Sequence, residues 1–381
     1  MAKIEEYLKN GKTHYKFQVY IGTNPETGKK QRTTRRGFTC KKEARSVMLK
    51  LELDINNGLF EKRTYETYHD FYDLWIEQYR NTVRESTFIK TSQLFKNRIL
   101  PLIGHMRIQN ISIIACQQCV NQWFRELPAS YRKVTNYASS VFRLAMKMEV
   151  LQKNPMELVT LPVRLMEADE VSNENFYDKG QVLKFLDCVK SEDNLMIYSF
   201  FRILIYTGIR QGEALALTWE DVDFDEKFIK IGKTLARGFG GVVINAPKTR
   251  ASKREVSIDD ETVKLLLEWQ TEQKRVLRSN GNKPKTNQLL FSSKTNKLFQ
   301  NTRPRKWLIK ILNKYDLPEI TVHGFRHTHS SLLLEAGAQL IDVKDKLGHS
   351  SIKTTADIYS HFTKEKRDKT FGLFQEHLSA Y

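Results

Sequence analysis

Arg210, Lys248, His323, Arg326, His349 and Tyr359 carry the side chains in this chain best suited to phosphoryl chemistry. They stand in the local strings TGIRQGEAL, APKTRASKREV, HGFRHTH, LGHSS and TTADIYSHF. A phosphodiester under attack holds negative charge on two non-bridging oxygens, and that charge redistributes in the transition state. Forked guanidinium donors grip such oxygens, and histidine and lysine donate hydrogen bonds or protons to them. A tyrosine hydroxyl can attack phosphorus and hold a strand covalently. Together these groups form a set for cutting and rejoining a nucleic-acid backbone with neither metal nor nucleotide.

Taken singly, each has a plainer reading. Glu213, three residues after Arg210, can orient its guanidinium along one helical turn, but ordinary surface ion pairs share that spacing. Lys248 falls between strand-like 242–246 and 255–258, in a hairpin rich in Lys and Arg. A loop of this kind suits a general acid that enters the site only with its ligand, and Arg250, Lys253 and Arg254 compete for that role. His323 and Arg326 are three apart at a helix start and project from one face. His323 and His327 have zinc-like spacing, but position 324 is Gly, so the HExxH glutamate is missing. His327 and His329 read as packing and local hydrogen-bonding residues. Tyr359 shares helical spacing with Ile352 and Ala356, as a core aromatic does. The ensemble in this order favours the chemical reading.

These strings resemble the catalytic domain of the tyrosine recombinases, the phage and transposon integrase family. The specific resemblance runs from Asp178 onward, and a looser one covers the N-terminal half, which is similar to the arm-binding and core-binding domains of integrases from Gram-positive mobile elements. The resemblance implies that Arg210 and Arg326 clamp the scissile phosphate and that Tyr359 is the nucleophile. It implies that Lys248 protonates the leaving 5′ oxygen and that His323 and His349 support the transfer. Phe325 stands where leucine is common in the family, and a bulky apolar residue still fits a core-facing role there. The implied activity is site-specific recombination through a 3′-phosphotyrosyl intermediate, integrating and excising a mobile element. The implied partners are double-stranded DNA at core and arm attachment sites, three further copies in a homotetramer, an excisionase and a DNA-bending host protein. No cofactor is implied.

Charge agrees with a polyanionic partner. The 381 residues carry 62 Lys and Arg against 44 Asp and Glu, a net charge of +18. Half of that excess lies in residues 1–50, and DNA or RNA fits such a balance better than a membrane does. The first residues show no apolar secretory core, and the most apolar stretch, 195–209, contains Arg202 and is too short to span a bilayer. The expected location is the bacterial cytoplasm, on DNA. Four cysteines argue against a disulfide framework; Cys116 and Cys119 form a lone CxxC without a second ligand pair.

Positioning these groups takes a multidomain chain. Residues 1–60 read as a small α+β domain of three strands and one helix. Asn10-Gly11 marks a hairpin, and Tyr15, Phe17, Val19 and Ile21 alternate with polar neighbours. The third strand, 30–38, is basic, with Arg32, Arg35 and Arg36 as expected DNA contacts. Ala44, Val47, Met48, Leu51 and Ile55 mark the buried stripe of the following helix, with Gly58 as its stop. Residues 64–165 read as an all-α bundle. Tyr68, Phe71, Tyr72, Trp75 and Tyr79 form its first stripe, Ser86 caps a second helix ending near Pro101 and Gly104, and Ser112 caps a third. A fourth helix runs from about Ser130 to Met148. A linker occupies 166–175. Residues 176–381 form the catalytic domain, mainly α with mixed α+β character, opened by an Asp178–Gln181 capping box. The C-terminal tail carries Phe371, Leu373, Phe374 and Leu378 as an apolar set that packs either at home or on a neighbour.

Other assignments remain within reach of the same residues. A chromosome-dimer or inversion recombinase shares the chemistry but does not call for the extra domain at 1–60. A type IB topoisomerase shares it without paired sites. A non-catalytic DNA-binding regulator on this fold is expected to have lost a catalytic position, and all six are filled here. A metal-dependent transposase needs a carboxylate triad and Mg²⁺.

Overall fold

Alternation between buried and exposed positions builds the first element of the chain. In the computed structural model, which describes residues 3–9, 12–23, 30–56, 65–163, 175–247 and 252–348, β1 (Ile4–Lys9), β2 (Lys12–Thr23) and β3 (Lys30–Phe38) form an antiparallel sheet with β2 in the middle. Phe17 and Val19 point to one face and meet Ala44 and Met48 of α1 (Lys41–Asn56). Tyr15, Phe38, Leu51 and Ile55 close the edges of this small core. Val47, expected in the buried stripe, is 39% exposed. A three-stranded sheet covers only the 44–48–51–55 line of a helix, and Val47 lies on its flank.

Register sorts the basic residues of β3. Lys16 pairs with Arg36, Gln18 with Thr34 and Tyr20 with Arg32, so these six share the open face. Arg35 pairs with Phe17 and donates to Thr33 Oγ1 at 3.2 Å, which places it on the helix-covered side. Asn10, Gly11 and Gly58 lie outside the described residues.

Contacts divide the chain into two compact units, Met1–Glu77 with Lys96–Pro162, and Gln78–Phe95 with Val163–Tyr381. Within the first, α2 (Tyr68–Arg80) buries Tyr68, Phe71 and Tyr72 while Trp75 is half-buried. The Tyr68 hydroxyl donates to Ala138 O at 2.9 Å, and its ring meets Phe142 edge-on. Both partners belong to α5 (Tyr131–Lys147), whose apolar face holds Val134, Ala138, Val141, Phe142 and Ala145. Ser112 caps α4 (Ile113–Glu126) by accepting from Ala115 N at 3.2 Å. Cys116 and Cys119 lie on its buried face, and burial pushes their thiols up to about 12 and about 11. Both act as small apolar fillers.

The helix α3 (Glu85–Leu94) begins at Arg84, not at Ser86 as expected. Arg84 has the extended backbone of a cap, and Ser86 sits inside the first turn. After Leu94 the chain continues in wider π turns from Phe95 to Gly104 with Pro101 inside them. Proline has no N–H to donate and crowds a regular turn, so the wider winding accommodates it.

The second unit is organised around α7 (Leu195–Thr207), buried on nearly every side by α6 (Lys179–Lys190), α9 (Asp260–Ser279) and α11 (Gly324–Glu335). Asp178 and Gln181 form the reciprocal capping box of α6. Phe325 is fully buried, 4.8 Å from Phe185 and 5.5 Å from Phe201 between ring centroids, so the unusual residue serves the core. Arg202 is the exception to the apolar surface of α7. It is 2% exposed and donates to Asp259 at 2.7 Å, Glu261 at 3.0 Å and Thr262 at 2.9 Å. Strands β4 (Val222–Asp223), β5 (Phe228–Ile231) and β8 (Arg254–Ser257) form one sheet, and β6 (Thr234–Gly238) with β7 (Gly241–Asn245) a separate hairpin. Short α8 (Gln211–Ala214), then α10 (Arg303–Tyr315) and α12 (Leu340–Leu347), also belong to the described part of this unit. Among the described residues no helix is long and apolar enough to cross a membrane.

Candidate active site

A glycine sets the geometry. Helix α7 ends at Gly208 with φ +64, a left-handed conformation that costs other residues energy, and the chain reverses directly into Arg210. Arg210 caps α8, and Glu213 answers it twice. The Arg210 backbone N–H donates to Glu213 Oε2 and its Nη1 to Oε1, both at 2.9 Å. Glu213 is 4% exposed, so the surface-pair alternative does not describe this contact. The Arg210 side chain keeps 37% of its surface.

Arg326 approaches from α11. It is 2% exposed and forks between two backbone carbonyls, Nη1 to Gly208 O at 2.8 Å and Nη2 to Leu347 O at 2.7 Å. Neither partner is anionic. Burial first, and then the Arg210 charge, push its pKa down to about 9, while Glu213 holds it up. At neutral pH it remains a cation in a place that disfavours cations. An anion bound beside it relieves that cost.

His323 caps α11 next to Arg326 and meets the His327 ring edge-on at 4.9 Å. Surrounding protein first, then His327, Arg326 and Arg210, push it down to about 4. The residue is solvent-exposed, so water screens part of that shift, and the imidazole is neutral at pH 7. The positive end of the helix acts the same way. A neutral ring offers one donor and one acceptor nitrogen. Behind it, His329 is buried and donates from Nδ1 to Ile205 O at 2.9 Å, a packing role as expected.

The structure therefore brings Arg210, Glu213, His323 and Arg326 together, while Lys248, His349 and Tyr359 lie outside the described residues. The strands flanking Lys248 differ from expectation. They do not form one hairpin: β7 pairs with β6 and β8 pairs with β5. The tight turn at Gly238 and Gly241, the latter with φ +123, captures β7 for β6 instead. His349 follows directly on Gly348, which ends α12 with φ +66.

Sequence reasoning missed the part Arg254 takes. It is buried, and its Nη2 donates to Glu213 Oε2 at 3.0 Å. A signal existed. Arg254 shares strand parity with Val256, which is 1% exposed, so it had to face inward and find a partner.

A pair of arginines on one buried carboxylate, beside a third arginine and a neutral histidine at a helix start, defines a tyrosine-type site-specific recombinase when joined to this fold and to the motifs around Lys248, His349 and Tyr359. Residues 175–366 match the phage integrase family, 67–124 the phage integrase N-terminal SAM-like domain and 4–55 the arm DNA-binding domain. The chain belongs to the phage integrase family, whose members cut and rejoin DNA in site-specific recombination. It is 30% identical over 380 residues to the tyrosine recombinase XerC-like protein of Caldanaerobacter subterraneus, covering 95% of each chain. It is 28% identical over 379 residues to the ICEBs1 integrase of Bacillus subtilis, covering 96% of this chain and 98% of that one. The Tn1549 transposon integrase, solved in complex with a circular intermediate DNA, has the same fold, with a TM-score of 0.66, 22% identity, and coverage of 81% of this chain and 100% of that one.

Proposed function

We propose that this enzyme integrates and excises a mobile element by transferring DNA strands through a 3′-phosphotyrosyl link at Tyr359. The observation that carries the reading is the excess of positive charge around Glu213. Arg210 and Arg254 share its one carboxylate, and among the described residues Arg326 has only carbonyl partners. A dianionic phosphorane is the complement of such a site.

The step balances as follows. Tyr359 Oη bonds to phosphorus as the phosphorus–O5′ bond breaks. Neutral His323 accepts the phenol proton, and Lys248 delivers a proton to the leaving 5′ oxygen. Arg210 and Arg326 hold the non-bridging oxygens, and His349 braces one of them. A tyrosine with an ordinary pKa of about 10 needs this assistance at neutral pH. The 5′ hydroxyl of the partner strand then reverses the step, and the phosphotyrosyl bond conserves the energy, so ATP is not required.

Exchange between two duplexes cuts four strands, which calls for a homotetramer on the core sites. The open face of the N-terminal sheet supports an additional arm-site contact, with Lys16, Arg32 and Arg36 as phosphate-binding cations. An excisionase and a DNA-bending host protein are the accessory partners in this reading. The test is strand exchange between two attachment-site plasmids in EDTA. Joined recombinant product supports the integrase, whereas relaxation of a single-site plasmid without exchange supports a topoisomerase.

A further inference from the structure

Two arginines hold Glu213, and they differ in what else they can do. Arg254 uses every nitrogen of its guanidinium on protein: Nη2 to Glu213 at 3.0 Å, Nε to Lys346 O at 2.9 Å and Nη1 to Ser252 O at 3.2 Å. With a side chain 7% exposed it cannot turn toward a ligand. Arg210 uses one guanidinium nitrogen on Glu213 and keeps an exposed edge. A buried carboxylate needs a cation, and whichever arginine satisfies it has less charge to offer elsewhere.

We propose that Arg254 is a positioning residue for strand cleavage: by neutralising Glu213 it leaves the charge of Arg210 available to the scissile phosphate. Glu213 is then a two-sided hub that fixes the direction of Arg210 through Oε1 while Arg254 balances its charge through Oε2. Electrostatics agree. Burial raises the Glu213 pKa, and Arg254 is the leading influence that lowers it, ahead of Arg210. Remove Arg254 and the carboxylate is left to Arg210, whose charge it cancels. Arg254 also ties strand β8 to the last turn of α12 through Lys346 O, one residue before the carbonyl that Arg326 grips. The inference rests on the assignment of Arg210 to the phosphate made above.

The experiment measures single-turnover cleavage of a nicked full-length site carrying either a normal scissile phosphodiester or a methylphosphonate, which has no negative charge there. Loss of one well-placed donor slows such chemistry on the order of 100-fold. Arg254→Ala is expected to show a loss of that order on the phosphodiester and several-fold less on the methylphosphonate. Adding Glu213→Gln, which removes the charge to be neutralised, is expected to restore part of the Arg254→Ala loss. If Arg254→Ala fails to fold by thermal melting, Arg254→Met, which keeps most of the bulk without the cation, carries the same comparison. Equal losses on both substrates, or a double variant slower than Arg254→Ala, overturn the proposal. Arg210→Ala separates the two levels. If its loss is also independent of charge, the phosphate assignment of Arg210 fails; if its loss depends on charge while that of Arg254→Ala does not, only the role of Arg254 fails.

Discussion

Arg326 donates to the carbonyl of Gly208 at 2.8 Å, so a residue that ends one helix holds the guanidinium rising from another. The contact depends on the positive φ of Gly208, and it makes the glycine part of the site. A Cβ at this position meets His329 Cδ2 at 2.6 Å and Leu347 Cδ2 at 2.7 Å. Gly208→Ala is therefore expected to destabilise the protein by at least about 1 kcal/mol from backbone strain alone. Cleavage should fall as well, because the carbonyl that aims Arg326 must shift. Urea unfolding reads the first effect, and an unchanged midpoint contradicts it.

Stability should fall with pH earlier than carboxylate titration allows. His329 is pushed down to about 4 by burial first, then by Lys346, against the Ile205 carbonyl, which favours its protonated form. In an unfolded chain histidine titrates near 6.5, so the folded state binds fewer protons between about 6.5 and 4. Stability from this group is complete above that window and is lost as pH falls through it, by up to about 3 kcal/mol. His323 and His327 shift in the same direction, while Glu213, held below the usual carboxylate range, adds its loss only at lower pH. Denaturant titrations at pH 7.5, 6 and 5 should show the decline, and His329→Gln should flatten it. A wild-type curve that is level across this range contradicts the account.

Asp259 has two jobs at the start of α9. Its Oδ1 caps the helix by accepting from Thr262 N at 3.1 Å, and its Oδ2 accepts from buried Arg202 at 2.7 Å. Asp259→Ala removes the cap and weakens the partnership of an arginine that cannot reach water. A loss of roughly 2 kcal/mol is expected. Asp259→Asn keeps the cap and should lose distinctly less, as a thermal melt of both variants will show.

Cross-strand register makes the three arginines of β3 unequal. Arg32 and Arg36 share the open face with Lys16, whereas Arg35 is on the side of α1. Arg32→Ala or Arg36→Ala should weaken arm-site binding and reduce the salt slope by about one charge. Arg35→Ala should leave both nearly unchanged. Fluorescence anisotropy over a salt series checks this, and equal effects for all three contradict the register argument.

Much of the fold is legible in the sequence, for reasons that particular residues make plain. The alternation of Phe17 and Val19 with Gln18 and Tyr20 could only be a half-buried strand, and Asp178 with Gln181 could only satisfy each other at a helix start. Pairing partners were less legible, because strand pattern says which face is buried and not which strand lies alongside. That is why β7 and β8 read as one hairpin and belong to two sheets. Ser86 had the right chemistry for a cap but sat two residues too late, and the extended backbone of Arg84 decided the start of α3. Strand parity with Val256 turned Arg254 inward, but its partner Glu213 lies 41 residues away in sequence, which no local pattern encodes.

In the proposed reaction a tyrosine becomes covalently joined to DNA. A nicked suicide substrate, in which the cleaved 5′ fragment diffuses away, traps that species for a denaturing gel. Wild type should give a protein–DNA adduct at the 3′ end whose labelled peptide contains Tyr359, and Tyr359→Phe should bind the site without forming it. An adduct on another residue, or cut DNA with no protein attached, contradicts the account.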